Sequence, residues 1–345
     1  MMRADPILLA RDAENLFWVA RYMERVENLA RLIDVAQSFE SPGREAESWA
    51  ALVAINADEA NFANWLGTGL GTGTGTGADS DPLAVKRFYL LAQENPTSIP
   101  ACVEQARTLA RTLRPLISTE MWRQINVMHR FVLRIQPPDL EGDSLSRLCT
   151  RLKEAVQTHT GVTEGTMYRD QGWQFYQLGR QLERADQTTR LLDIKYRLLV
   201  PREHEARRVT ELTQWNAVLR AAAGYHAFKR LSRGAFNVQD VAEFLLRDPS
   251  FARSVLHCVR RCETHLDDLR RMHHLSGIAP AIERAEYLRA TLLDPPMAGI
   301  LAGDLHHYLD RVQILLMDVA SAIGRGFFRN WQPPALIDQL DQYQG

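Results

Sequence analysis

One amphipathic segment of this chain occurs twice, and the second copy keeps the charged residues of the first. Residues 15–35 read NLFWVARYMERVENLARLIDV and residues 174–194 read QFYQLGRQLERADQTTRLLDI, so the copies are 159 positions apart. Many sets of hydrophobic residues can build the core face of a helix, whereas nothing in packing alone requires the same charges. Their agreement therefore indicates a duplicated helical unit. The matched charged positions are Arg21, Glu24, Arg25, Glu27, Arg31 and Asp34 in the first copy and Arg180, Glu183, Arg184, Asp186, Arg190 and Asp193 in the second.

A second pair of segments repeats in the same order. Residues 98–114 match residues 254–270 at an offset of 156, with Ser98 and Cys102 among the identical positions. Two matching segments in one order, at nearly one offset, indicate that a unit of several helices was duplicated, since a chance match would not preserve both.

The predicted fold class is all-α: a pseudo-two-fold helical bundle from an internal duplication. Helical periodicity dominates, and no convincing run of alternating residues predicts a strand. The first repeat is predicted to be residues 1–160 and the second residues 161–345, packed together as one compact body. Within them, residues 44–66, 203–232 and 298–328 are each predicted to form a single helix.

Residues 67–77, GTGLGTGTGTG, form the one low-complexity segment. Glycine gives the chain maximal backbone freedom, and this run offers almost nothing to bury, so it predicts a flexible surface loop. A phosphate-binding loop would end in Gly-Lys-Ser/Thr, and this one does not.

Composition excludes several classes of protein. The 41 basic and 42 acidic residues leave a formal charge of −1, which gives no support for a nucleic-acid binder. No run of 18 apolar residues and no signal-peptide pattern is present, so we expect a cytoplasmic protein that does not enter a membrane. Four cysteines are too few for a disulfide framework.

The charged residues of each copy lie along one edge of an apolar helix face. Spacings of three and four residues align Glu24, Glu27, Arg31 and Asp34, and likewise Glu183, Asp186, Arg190 and Asp193. The same spacing predicts ion pairs within a helix: Glu27 with Arg31, Arg31 with Asp34, and Arg21 with Glu24. Arg25 and Arg184 point away from this edge and need partners elsewhere.

Three interpretations of these stripes stay open. They could form a buried network that fixes the register of the two halves, line a cleft that binds a ligand or partner, or be a solvated face. The candidate residues of this binding or structural network are Arg21, Glu24, Arg25, Glu27, Arg31, Asp34, Arg180, Glu183, Arg184, Asp186, Arg190 and Asp193.

The sequence supplies no recognisable catalytic, metal or cofactor motif. A di-metal bundle needs Glu-x-x-His pairs, and no histidine follows Glu24 or Glu183 at that spacing. Cys258, Cys262 and His265 share a predicted helix face and could bind zinc. At the repeat offset, however, the latter two correspond to alanine and leucine, which favours buried core positions and predicts no metal or cofactor site.

With its doubled Glu-Arg motif, the chain resembles the alpha-E family of all-helical bacterial proteins. The motif stands within RYMERVENLARLIDV and RQLERADQTTRLLDI, and the segments NPTSI at 95–99, ISTEMW at 117–122 and VAEFLLRDPSFARSV at 241–255 also look like the family. The resemblance implies a helical unit with a Glu-Arg motif, typically duplicated in tandem.

The resemblance also implies partners. Such proteins are encoded beside circularly permuted ATP-grasp ligase-like proteins, transglutaminase-like proteins and proteasome-like Ntn peptidases. The implied role is a non-catalytic helical partner of an ATP-grasp carboxylate-amine ligase in a peptide synthesis or modification system. Two alternatives stay open. One is an enzyme or a small-molecule or peptide binder that uses the paired stripes as acid/base and carboxylate-clamping groups, and the other is a stand-alone structural bundle.

Overall fold

The computed structural model describes residues 8–38, 40, 45–68, 81–197, 214–232 and 237–328, and within these ranges it contains helices and no strands. The all-α prediction is confirmed. The helices are α1 Ala10–Ser38, α2 Glu45–Ile55, α3 Glu59–Gly67, α4 Pro82–Leu90, α5 Ile99–Thr112, α6 Thr119–Val132, α7 Gly142–Thr166, α8 Gln171–Arg197, α9 214–221, α10 Tyr225–Leu231, α11 Val238–Arg247, α12 Val255–Arg271, α13 Ala279–Leu293, α14 Met297–Ala302 and α15 Leu305–Phe327.

The serines that match at the offset of 156 are helix N-caps. The hydroxyl of Ser98 accepts a hydrogen bond from the backbone N–H of Ala101, at 3.2 Å, and that of Ser254 accepts one from the N–H of His257, at 3.0 Å. These bonds satisfy N–H groups that have no partner inside the helix. The repeated serine therefore fixes where α5 and α12 begin.

Each of the three segments predicted as single helices is broken. The break at Ala57 separates α2 from α3 and that at Ala223 separates α9 from α10, with backbone φ values of 53° and 57°. This left-handed conformation ends a helix, and it is uncommon for alanine, so the residue type gave no warning. The third break lies between α14 and α15, where Asp304 caps the new helix through the N–H of His307. Residues 203–213 lie outside the described part of the chain.

Helices α1 and α8 lie at the centre of the molecule and pack on each other. In the first half α1 also packs on α5 and α7, and α6 bridges those two helices. In the second half α8 packs on α12 and α15, which α13 bridges in the same way. One hydrophobic core runs through both halves. This repeated arrangement is what a duplicated unit predicts. The duplication and the division at residue 160 stay predictions, and α7 runs through that position to Thr166.

Among the described residues, no helix is both long enough and apolar enough to cross a lipid bilayer. The four cysteines are buried free thiols. Only Gly67 and Thr68 of the Gly-Thr run fall inside the described ranges, and residues 69–77 lie outside them.

Candidate functional site

The close approach of α1 and α8 brings the two Glu-Arg motifs together. At the contact, a Cβ atom added to Gly179 would lie 3.1 Å from the Cα of Phe17 and would overlap its carbonyl oxygen. Glycine therefore lets the two backbones approach more closely than any other residue would. The helices cross where the motif residues can reach one another.

The two motifs pair reciprocally across this contact. Arg184 donates to both carboxylate oxygens of Glu24, from Nε at 2.8 Å and from Nη2 at 2.7 Å. Arg25 donates to both oxygens of Glu183, from Nε at 2.7 Å and from Nη2 at 3.2 Å. Each pair has the two parallel bonds of the strongest arginine–carboxylate geometry. Arg25 and Arg184, which lacked partners within their own helices, thus bind the glutamate of the other motif.

Both motif carboxylates are buried and ionised. Glu24 is 2% exposed and Glu183 is fully buried. Burial alone raises the pKa of Glu183, but the charges and hydrogen bonds of Arg25 and Arg21 outweigh it and lower this pKa to about 2. Burial likewise raises the pKa of Glu24, and Arg184 and Arg253 lower it well below its usual range. Paired arginines therefore hold both carboxylates in the charged form.

The stripe arginines Arg31 and Arg190 each donate a hydrogen bond to a carbonyl at the C-terminus of another helix. Arg31 binds Glu27 at 2.5 Å and donates from Nη1 to the carbonyl of Ala221, at the end of α9, at 2.7 Å. Arg190 binds Asp186 at 2.7 Å and donates to the carbonyl of Ile55, at the end of α2. A cation at a helix C-terminus satisfies carbonyls that lack a partner and complements the helix dipole. The predicted Glu27–Arg31 pair is present.

The other predicted pairs within a helix are wrong. Arg21 binds Glu183 at 2.8 Å rather than Glu24, and Asp34 binds Lys153 at 2.7 Å rather than Arg31. Two charged residues of the second copy also pair with residues of other helices: Arg180 binds Glu164 of α7 at 2.6 Å, and Asp193 binds His306 of α15 at 2.8 Å. Neighbouring helices supply nearer partners than the same helix does, and spacing along one helix does not reveal them.

Sequence reasoning missed Arg253, the residue that joins Glu24 to Glu27. This residue precedes the N-cap of α12 and binds Glu24 at 3.1 Å and Glu27 at 2.7 Å. It also donates to the amide oxygen of Asn28, at 3.2 Å. At the offset of 156 its counterpart is Thr97, so the comparison of the repeats gave no signal for it.

The two sides of the network, which differ at this position, are also unequal in open volume. On the side of Arg253 the space that remains is about 10 Å³, roughly one water molecule. On the side of Thr97 a cavity of about 350 Å³ opens beside the network, lined in part by Arg21, Arg25 and Arg190. The stripes are thus buried against each other and also border a cavity, which combines two of the interpretations left open by the sequence.

The cysteines and the buried histidine of α12 are core groups in this structure. Burial raises the pKa of the Cys258 thiol to about 12 and lowers the pKa of His265 to about 3. His265 Nδ1 lies 2.6 Å from the side-chain oxygen of Gln174 on α8. The described residues contain no group of three or more histidine, cysteine or acidic side chains placed to hold a metal ion.

Fold and site together define a class of all-helical protein in which two central helices are joined by buried, reciprocal Glu-Arg pairs. The model of the Alpha-E family, described as a predicted alpha-helical domain with a conserved ER motif, matches residues 8–328. The chain belongs to the Alpha-E family. The motif named in that description, Glu-Arg, occurs here as Glu24-Arg25 and Glu183-Arg184.

Curated relatives of the chain are uncharacterised proteins. One from Mycobacterium bovis (strain ATCC BAA-935 / AF2122/97) and two from Mycobacterium tuberculosis (strains CDC 1551 / Oshkosh and ATCC 25618 / H37Rv) are each 27% identical over 347 residues. The alignment covers 94% of this chain but only 38% of the length of each relative. No solved structure matches the chain significantly.

Proposed function

We propose that the chain is a non-catalytic helical partner of a circularly permuted ATP-grasp carboxylate-amine ligase in a bacterial cytoplasmic system for peptide synthesis or modification. The observation that supports this role is the use of both motif carboxylates in internal pairing. Glu24 and Glu183 each accept two hydrogen bonds from an arginine of the other helix. The defining motif of the family therefore assembles the protein, and its carboxylates are occupied by this pairing.

The protonation state of these carboxylates argues against acid/base catalysis. A general acid or base works best when its pKa lies near the operating pH. The pKa of Glu183 is lowered to about 2, and that of Glu24 also lies well below its ordinary value. Neither group carries a proton to donate at neutral pH, and arginine donors occupy their oxygens.

A basic groove between α6 and α7 is our candidate for the partner-binding surface. Its volume is about 590 Å³, and its lining includes Arg130, Arg134, Arg147 and Arg151 with one acidic residue, Asp139. Arg151 also covers the ring of a lining phenylalanine, with 4.4 Å between its guanidinium carbon and the ring centroid. Exposed arginines on an aromatic floor fit an acidic segment of a partner, because complementary charge steers association and selects partners.

The test is a pull-down with a circularly permuted ATP-grasp protein from the same organism, followed by a ligase assay with and without the chain. We expect a stable complex and a higher ligase rate when the chain is present. Replacing Arg130 and Arg134 by glutamate should weaken the complex. The matched control replaces Arg270 and Arg271 of α12, which are also exposed, and should leave it intact. Absence of a complex together with an unchanged ligase rate would contradict the proposal. The same pull-down would be repeated with transglutaminase-like and Ntn peptidase-like proteins, the other partners that the family resemblance implies.

The second candidate function is a small-molecule or peptide binder, or an enzyme, that uses the paired stripes. The observation that favours binding is the cavity of about 350 Å³ beside Arg25 and Glu183. The two candidates are compatible, since a partner protein could present a substrate in this cavity.

A further inference from the structure

The cavity on the Thr97 side has an arginine wall. It lies between α1, α8 and α15, and Arg21, Arg25 and Arg190 line it together with Glu183 and Asp186. Three arginines against two carboxylates leave an excess of one positive charge in the lining. A further carboxylate, Asp58, accepts hydrogen bonds from the hydroxyls of Thr97, which lines the cavity, and of Tyr89.

Two of these arginines keep donors that no described residue accepts. Arg21 donates from Nε to Glu183, and its two terminal nitrogens make no hydrogen bond within the described residues. Arg190 uses Nε and Nη1 to bind Asp186 and the carbonyl of Ile55, which leaves Nη2 with no acceptor among the described residues. An arginine has five N–H donors and no acceptor, so these atoms are available to donate to an oxygen of a ligand in the cavity.

The two sides of the network differ in their balance of arginines and carboxylates. On the closed side, the Arg253 guanidinium lies against Glu24 and Glu27, and it supplies a cation to two carboxylates. On the open side Arg21 already meets Glu183 and the position of Arg253 is held by a threonine. The open side therefore has surplus donors instead of surplus carboxylates, and it fits an anion.

The rest of the cavity lining is largely aromatic and aliphatic. Trp18 and Tyr22 of α1 lie near its arginines, with the Arg21 guanidinium carbon 5.1 Å from the Trp18 ring centroid. Leu316 and Met317 of α15 add aliphatic surface. The volume is near the lower end of the roughly 300–1,000 Å³ typical of small-molecule sites. A ligand of one or two amino-acid residues would fill it.

We propose that this cavity binds the free carboxylate of an amino acid or of the C-terminal end of a short peptide. Arg21 and Arg190 hold the carboxylate, and the ring of Trp18 and the α15 side chains cover the apolar part of the ligand. A planar carboxylate matches the fork of a guanidinium, which gives strong, directional hydrogen bonds. This inference rests on the proposed function in one respect: a peptide-modifying system supplies ligands of this class.

The test uses the complete chain without any partner. Saturation-transfer NMR would be recorded with an equimolar mixture of N-acetyl dipeptides and with the same mixture as C-terminal amides. Inorganic phosphate, which has no carbon-bound proton, would be followed instead by the broadening of its phosphorus NMR signal. We expect signals from free acids and binding at least about tenfold weaker for their amides, the cost of losing hydrogen bonds to a charged group.

A matched pair of variants locates the site. Arg190→Met and Arg31→Met remove the same set of contacts, namely a carboxylate four residues earlier and a helix-terminal carbonyl, on the open and closed sides respectively. Both should lower the melting temperature similarly. Arg190→Met should weaken binding of the strongest acid at least about tenfold. Arg31→Met should change it by less than about twofold, because Arg31 lines only the closed side. Met317→Trp, which places a larger side chain in the cavity and keeps its charges, should weaken binding at least about tenfold.

Several results would overturn the proposal. Equal binding of acids and amides would exclude a carboxylate site, and binding of phosphate alone would assign the arginines to a different anion. An equal loss in Arg31→Met, or no loss in Met317→Trp, would place the binding outside this cavity. The outcome is separable from that of the proposed function. If the chain binds its ligase partner but no dipeptide, only the carboxylate-binding proposal is contradicted. If it binds dipeptides but no ligase, only the proposed partner role is contradicted.

Discussion

The guanidinium of Arg184 and the carboxylate of Glu24 form a bidentate pair across the contact of α1 and α8, with N–O distances of 2.8 and 2.7 Å. The pair formed by Arg25 and Glu183 repeats it in the opposite direction. Each motif thus gives its glutamate to one pair and its arginine to the other. Loss of either glutamate leaves the motif arginine of the opposite helix without its carboxylate, whereas each glutamate has a second arginine, Arg253 for Glu24 and Arg21 for Glu183.

Glu24→Gln and Glu183→Gln should therefore destabilise the protein strongly. Removing one partner of a buried ion pair typically costs about 3 to 5 kcal/mol, because the remaining charge stays in a dry environment. The measurement is the free energy of unfolding from urea titration. The control is Glu263→Gln, which removes a surface ion pair with Arg289 and should cost less than about 1 kcal/mol. Equal, small losses in all three variants would contradict a buried structural network.

Gly179→Ala tests whether the close approach of the helices positions this network. The added Cβ would overlap the carbonyl oxygen of Phe17, so α1 and α8 must move apart. We expect a loss of stability of about 3 kcal/mol, the upper end of the typical range for overpacking. Gly161→Ala in α7 is the control, since nothing lies within 4 Å of its added Cβ. That change should stabilise the helix by roughly 0.5 to 1 kcal/mol. Thermal melts of both variants decide the point.

How much of this site the sequence predicts depends on where each partner lies. The Glu27–Arg31 pair follows from spacing on one helix, and the sequence predicts it correctly. The Arg25–Glu183 pair needs the crossing of two helices, which a close backbone contact at Gly179 sets and which helix periodicity does not encode. Arg253 comes from a third helix and has no counterpart in the repeat, so no pattern identifies it.

The same distinction applies to the fold. Periodicity and breaker residues predict an all-helical chain and the positions of most helices. They miss the ends of α2 and α9 because alanine, not glycine, takes the left-handed conformation after each helix. An arginine of the opposite half binds each of these ends, Arg190 at Ile55 and Arg31 at Ala221. Tertiary contacts thus support a turn that local sequence disfavours.

Stability should fall as the pH drops below neutral. Burial lowers the pKa of His159 to about 4 and that of His265 to about 3, so the folded protein resists protonation that the unfolded chain accepts near pH 6.5. Their contribution is complete above pH 6.5 and is lost as pH falls through 4 and 3. The contribution of Glu183 is complete above its ordinary pKa of 4.5 and is lost as pH falls through about 2.

Urea unfolding at a series of pH values measures this dependence. The variant His265→Gln should flatten the curve between pH 6.5 and 3, because one of the two histidines no longer titrates. Glu183 remains in that variant, so the decline below pH 4.5 should persist. A curve for His265→Gln that has the same slope as the parent between pH 6.5 and 4.5 would contradict the assignment of this window to the histidines.

Arg253→Met tests the residue that closes one side of the network. Its guanidinium binds Glu24 and Glu27, yet both carboxylates keep another arginine when it is removed, Arg184 and Arg31 respectively. The loss should therefore be smaller than for Glu24→Gln, about 2 kcal/mol, the scale of hydrogen bonds to charged groups.

The pKa of Glu27, which burial raises and Arg253 lowers, should rise in Arg253→Met. The loss of stability that Glu27 contributes as the pH falls below its ordinary pKa of 4.5 should then become smaller. Arg260→Met on the exposed surface of α12 is the control and should change stability by less than about 0.5 kcal/mol. If Arg253→Met changed stability no more than this control, the motif pairs alone would hold the closed side. The difference between Arg253 and Thr97 would then not explain why only one side of the network is open.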